Sequence, residues 1–202
     1  MRAVRLHAVG EPLRVEDVAL PEPAGTEVRI RVAGCGVCHT DLHIVDGIQT
    51  RVVLPRTLGH EVAGWVDAVG PGAERLLRRL GLKVGAAVVV SGAWGCGQCR
   101  DCLAGSEQRC AFSTAPGFQA DGGYAEFMLV PHPRFCVPLR RLDPVRAAPL
   151  ADAGVHQARQ RREHVDGREH SPAVQVTAQD HLSLGDVARE VRDRMRDVVL
   201  GH

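Results

Sequence analysis

The chain has 202 residues, 45% hydrophobic and only 3% aromatic, with a net charge of +1. That length suits one domain with a small appendage, and its core must be built mainly from Val, Leu and Ala. The near-zero charge gives no electrostatic ground for a nucleic-acid or anionic-membrane partner, and no apolar run is long enough to span a bilayer.

In chain order, short Val-rich runs predict strands at 2–6, 27–33, 61–69, 86–91, 124–130 and 135–138. Gly and Pro clusters such as Pro21-Glu-Pro23, Gly70-Pro-Gly72 and Asp121-Gly-Gly123 separate them. Many short strands with such turns suggest a barrel or sandwich, mainly β with a few helices. A turn of helix is expected at 40–45. After Asp152 the character changes. Residues 155–182 read as a polar linker, exposed or disordered, with few apolar side chains. At 183–202 an amphipathic helix is expected, capped by Ser183, with Leu184, Val187, Val191, Met195, Val198 and Val199 on one face.

The cysteines carry the clearest chemistry. Cys96, Cys99, Cys102 and Cys110 follow C-x2-C-x2-C-x7-C spacing, and the number of cysteines, seven, is odd. Residues 1–7 are followed by no apolar stretch of the signal-peptide kind. Clustered thiols in that setting read as metal ligands in a reducing compartment rather than disulfides, so a cytoplasmic location is expected. Four thiols at this spacing can surround one tetrahedral ion, with zinc the default occupant of a closed structural site. Four ordinary thiols or a rubredoxin-like iron site are the competing readings.

A second set of ligands is spread more widely, in Gly36-Val-Cys38-His39-Thr40-Asp41-Leu42-His43, Gly59-His60-Glu61-Val-Ala-Gly64 and Leu150-Ala-Asp152. Cys38, His60 and Asp152 offer a thiolate, an imidazole and a carboxylate. Three protein ligands and one open position define a catalytic zinc, which polarises a bound oxygen. Alone, Cys38 would read as a small buried hydrophobe, and Asp152 as a helix cap. His43 also fits an ordinary surface histidine. Cys35 and Cys136 read as packing residues. The remaining histidines lack a Cys partner at ligand spacing.

From the N-terminus to about Gly154 the chain resembles the zinc-dependent alcohol dehydrogenases of the medium-chain dehydrogenase/reductase superfamily. The motifs that carry the resemblance are G-H-E-x-x-G with Gly70 six residues on, C-x-T-D-x-H, the four-cysteine lobe and A-P-L-x-D-A-G. The resemblance implies a GroES-like partial β-barrel over 1–154. It implies that Cys38, His60 and Asp152 hold a catalytic zinc, that the four cysteines hold a structural one, and that Glu61 can approach the catalytic metal. Asp41 resembles the carboxylate that orients the zinc-bound His60. Thr40 resembles the hydroxyl that takes the substrate proton, with His43 at the outer end of the relay. His39 resembles the residue that touches the cofactor pyrophosphate, and Trp94 is a candidate for the substrate pocket. The implied reaction moves a hydride between a small-molecule alcohol or carbonyl and NAD or NADP. Homo-oligomerisation is common in the family.

Two departures qualify that reading. Residues 74–85 do not follow the family pattern, with Lys83-Val-Gly-Ala-Ala-Val where a Gly-Asp-Arg-Val turn is usual. No G-x-G-x-x-G occurs, and the fifty residues after Asp152 are too few for the two halves of a doubly wound dinucleotide fold. The expectation is a truncated catalytic lobe that binds two zinc ions and is impaired alone. The alternative is a non-catalytic zinc-binding remnant or interaction module.

Overall fold

Alternation between buried and exposed positions turns the Val-rich runs into strands with one apolar face. In Val28–Gly36, for example, Val28 and Ile30 are buried whereas Arg31 is exposed. The structure, a computed structural model, describes residues 1–152. The linker expected at 155–182 and the helix expected at 183–202 lie outside the described residues.

The elements run in chain order. β1 (Arg2–Leu6), β2 (Arg14–Asp17) and β3 (Val28–Gly36) lead into helix α1 (His39–Val45). Then come β4 (Arg56–Thr57), β5 (Glu61–Val69), α2 (Glu74–Arg79), β6 (Ala87–Val90) and α3 (Arg100–Leu103). β7 (Phe127–Val130), β8 (Cys136–Pro138) and α4 (Pro144–Ala147) complete the order, and a 3-10 turn at Ala148–Ala151 reaches Asp152. The runs expected at 2–6 and 61–69 coincide with β1 and β5, and the helix expected at 40–45 starts one residue earlier. β2 is absent from the expectations because its Arg-Val-Glu-Asp sequence carries no apolar face. α2 occupies the stretch that departs from the family pattern.

The strands form two antiparallel sheets, one ordered β2-β1-β4 and the other β7-β3-β5-β6-β8. Neither closes on itself, so the architecture is a partial barrel. β1 joins the larger system through an isolated bridge from Ala3 to Ala125. Val4 N–H donates to the Tyr124 carbonyl at 2.7 Å. β3 pairs with β5 over nearly its whole length, interrupted by shifts between Arg29 and Ile30 and between Val32 and Gly34. Such bulges bend a strand and redirect the chain beyond it, in this case the turn at Cys38.

One face of the large sheet buries Val28, Ile30, Val62, Val66, Val88, Val90, Met128 and Val130. A second cluster packs Val4, Leu6, Ile44, Val45, Leu58 and Tyr124 between β1 and α1. The opposite face of the large sheet is built from small residues. Ala63 packs against Leu139, Ala147 and Ala148, and a Cβ added at Gly34 would lie 3.3 Å from the Val145 backbone. These small side chains let α4 and the 3-10 turn after it lie close to β3 and β5, which sets where Asp152 ends up. Among the described residues no helix is long and apolar enough to cross a membrane.

Ile30 is fully buried in the main core, so Ile30→Ala is expected to destabilise the chain by about 3 kcal/mol in urea unfolding, through lost transfer energy plus a cavity. Leu80→Ala, at a residue 44% exposed, should change stability by less than about 0.5 kcal/mol.

Candidate metal centres

The first centre begins where β3 ends. Cys38 is the N-cap of α1, and its sulfur accepts the Thr40 N–H at 3.3 Å. Three residues on, the Asp41 carboxylate reaches back to the Cys38 N–H at 3.1 Å. This reciprocal capping box is the arrangement Ser or Thr usually makes with Glu. Here it fixes the thiol of Cys38 and buries Asp41 completely.

His60 enters from a different direction. Gly59 before it has φ +92, and a Cβ there would sit 2.6 Å from Tyr124 Cδ1 and 2.7 Å from Cys35 Sγ. Only glycine accommodates both that backbone and that crowding. The Gly59 N–H donates to Asp41 Oδ1 at 3.3 Å, so one carboxylate ties both segments together. A Cβ at Gly36 would overlap the carboxylate of Glu61, which is itself only 3% exposed.

Three segments then converge. Cys38 Sγ lies 3.0 Å from His60 Nε2, and Asp152 Oδ2 lies 3.6 Å from the same nitrogen. The three ligand atoms all fall within 4.8 Å of one another. His60 is 6% exposed, whereas the Asp152 side chain is 42% exposed, so the cluster is closed on one side and open on the other. On its far edge His60 Nδ1 is 3.6 Å from Asp41 Oδ1 and has no hydrogen-bond partner among the described residues. Burial disfavours the imidazolium, but Asp152, Asp41 and Cys38 outweigh it and push the His60 pKa up to about 12. A thiol and a carboxylate aimed at one imidazole nitrogen favour a positive charge there. A divalent cation suits this donor set, because it can be shared among all three.

The flanking side chains are arranged along α1. Thr40 is half-buried, whereas His39 and His43 pack edge to face with ring centroids 5.4 Å apart. Both His39 and His43 are exposed. Phe118 packs against His60 at 5.8 Å between ring centroids. Sequence reasoning missed Phe118, because nothing at 111–120 places it beside residue 60.

The second centre is built locally. Cys96, Cys99, Cys102 and Cys110 bring their sulfurs within 4.8 Å of one another. Backbone N–H groups of Gln98 and Cys99 point at Cys96 Sγ at 3.5 and 3.4 Å, and lower its pKa to about 6. Desolvation and the neighbouring sulfurs push the Cys102 thiol up to about 12. Four sulfurs this close cannot all carry charge unaided, and a divalent cation at their centre would allow it. Arg134 holds this lobe to the body: it donates to the Gly95 carbonyl and pairs with Glu107 at 3.1 Å.

Trp94 is packed in the sheet core. It is 3% exposed, its indole N–H donates to the Ser91 carbonyl at 2.8 Å, and its ring lies 6.2 Å from that of Phe135. It lines a cavity of about 470 Å³ together with Thr57, Phe127 and Met128, and none of Cys38, His60 and Asp152 borders that cavity. Cys35 and Cys136 are packed in the interior, and burial pushes both thiols up.

An antiparallel partial barrel with one all-sulfur lobe and one mixed Cys/His/Asp cluster defines the catalytic-domain class of the medium-chain dehydrogenases. Residues 24–141 match the alcohol dehydrogenase GroES-like domain, and the chain belongs to that family, among the zinc-type alcohol dehydrogenases. It is 44% identical over 155 residues to the D-arabinose 1-dehydrogenase (NADP(+)) of Saccharolobus solfataricus, covering 76% of this chain and 42% of that protein. It is 41% identical over 163 residues to an NAD-dependent alcohol dehydrogenase of Sulfurisphaera tokodaii, covering 77% and 45%. The alcohol dehydrogenase structure from Aeropyrum pernix superposes with a TM-score of 0.74 at 39% identity, covering 83% of this chain and 49% of that one. The chain thus spans about half the length of these relatives.

Gly59→Ala combines a left-handed backbone with two clashes. It is expected to cost about 2 kcal/mol or more of stability, read from the urea midpoint, and to displace His60 from Cys38.

Proposed function

We propose that this chain carries the catalytic site of a zinc-dependent, NAD(P)-linked oxidoreductase that interconverts an alcohol with an aldehyde or ketone. The observation that carries the reading is the convergence of Cys38, His60 and Asp152, from three distant segments, into a cluster open on the Asp152 side. The relatives support the reaction class: the proteins from Saccharolobus solfataricus and Sulfurisphaera tokodaii are dehydrogenases that use NADP and NAD respectively.

Cys38, His60 and Asp152 would hold the catalytic zinc, and Cys96, Cys99, Cys102 and Cys110 the structural one. Bound there, the metal supplies Lewis acidity to a substrate oxygen, and a nicotinamide supplies the hydride chemistry. The chain's own residues do the rest. Asp41 orients the His60 ring from the side away from the ligand nitrogen. Thr40, two residues after Cys38 in the first turn of α1, offers its hydroxyl to the substrate oxygen and accepts its proton. His43 lies one turn further on the same helix face and is exposed, so it can pass that proton to water. His39, packed beside it, is placed to meet a coenzyme phosphate. Phe118 packs at a tilt against the His60 ring. Glu61, buried next to Gly36, is the carboxylate nearest in sequence to His60 and is assigned the role of an exchangeable partner for the metal.

The test combines metal analysis with turnover. The purified protein should hold two zinc equivalents. Cys38→Ser should lose one, and Cys102→Ser the other. Thr40→Ala should lower kcat for nicotinamide-dependent alcohol oxidation by about 100-fold while both zinc equivalents stay bound. A single zinc equivalent in the wild-type protein, unchanged in Cys38→Ser, would overturn the reading.

A further inference from the structure

We propose that Arg134 is a positioning residue for the all-sulfur centre: it closes the neck of the lobe and sets the approach of Cys96 to Cys110. This rests on the reading of Cys96, Cys99, Cys102 and Cys110 as one metal site. Arg134 lies on a 3-10 turn, Pro133–Phe135, well beyond the lobe in the chain. That turn is a rigid platform. The Arg134 N–H donates to His132 Nδ1 at 3.1 Å. The next residue, Phe135, is 3% exposed and belongs to the main core. Its carbonyl accepts the Ser91 N–H at 2.8 Å. The guanidinium lies over the Phe135 ring, with Cζ 4.4 Å from the ring centroid.

From this platform the guanidinium reaches both ends of the lobe. Nη2 donates to the carbonyl of Gly95, the residue before Cys96. Gly95 is buried, so that carbonyl needs a donor inside the protein. Nη1 lies against Gly97, the residue after Cys96, where a Cβ would sit 2.6 Å from it. Nε pairs with Glu107 Oε1 at 3.1 Å. Glu107 opens the short turn that leads to Cys110, and its carbonyl accepts the Cys110 N–H at 3.0 Å. One planar cation therefore touches the backbone on both sides of the first ligand and the side chain that leads to the last. Arginine suits this task because its donors form a rigid fork, which a lysine ammonium lacks. The two ligands meet where it holds them: the Cys96 N–H donates to Cys110 Sγ at 3.4 Å. Cys96 depends on that hold most, because it is exposed whereas Cys110 is buried. The Arg134–Glu107 pair is itself mostly buried, with side chains 32% and 26% exposed, so it is not the freely solvated kind that contributes little.

Substituting a group that orients a metal ligand typically weakens binding by about 10- to 100-fold. The test uses the full chain loaded with Co²⁺, whose sulfur-to-metal absorption separates a four-thiolate site from a site with one thiolate. Affinity at each site is read by competition with a chelator. Arg134→Met should weaken the all-sulfur site by about tenfold, shift its absorption bands and leave the mixed site unchanged. Arg134→Lys keeps the charge and the stem over Phe135 but not the fork, so it should weaken the site by a smaller factor. It also decides the question if Arg134→Met fails to fold. Arg109→Met removes the same charge from the lobe, at a side chain 73% exposed, and should leave both sites as in the wild type. The inference is overturned if either Arg134 variant binds Co²⁺ at wild-type strength, or if Arg109→Met weakens the site as much as Arg134→Met. A wild-type chain without the four-thiolate absorption overturns the all-sulfur reading, and this inference with it.

Discussion

A carboxylate sealed from water sits between the two backbone segments that carry Cys38 and His60. Leaving such a group charged and unpaired would cost several kcal/mol, so the surrounding chain is arranged to satisfy it. Asp41 caps the start of α1 through the Cys38 N–H and holds the β4–β5 connection through the Gly59 N–H. The same side chain therefore fixes the thiol, the imidazole and the angle between them. Loss of that anion would remove a polar tie between the helix and the strand that carries His60.

The two centres are held together by different physics. In the all-sulfur lobe, the four ligands lie within one short stretch of chain, and glycine-containing turns bring the sulfurs inward. Backbone N–H groups of Gln98 and Cys99 already favour a thiolate at Cys96. Little tertiary structure is needed beyond the Arg134 clamp. The mixed centre depends on β3 pairing with β5 and on α4 lying close to both. Small side chains at Gly34, Ala63, Ala147 and Ala148 permit that approach, and the chain then delivers Asp152 to the open side of His60. A larger residue in that layer would move one of the three proposed ligands while leaving the all-sulfur lobe intact.

Residues that a family pattern groups together are held here by different contacts. Thr40 and His43 come after Cys38 along one helix, so their proximity to the centre is inherited from α1. Trp94 is anchored instead to Ser91 and Phe135 in the sheet core, on a cavity that none of the three clustered ligands borders. Phe118 and Tyr124 flank His60 and Gly59, although each is far away along the chain.

Much of this was legible in the chain order of the residues. Strands β1 and β5 arise from Val-rich runs bounded by Gly and Pro, and both clusters of candidate ligands are visible in Cys, His and Asp spacing and in family motifs. The features that were not legible have a common cause. β2 has no apolar face and exists because β1 offers it an edge. α2 fills a stretch that matches no pattern. The neighbours of His60 are set by sheet pairing at long range. The amino-acid order by itself determined which atoms can ligate, donate or accept, because those are properties of single side chains and short turns. Only the tertiary structure decided that Asp152 faces His60 and that Tyr124 underlies Gly59, because those distances depend on strand register and on how closely the layers pack.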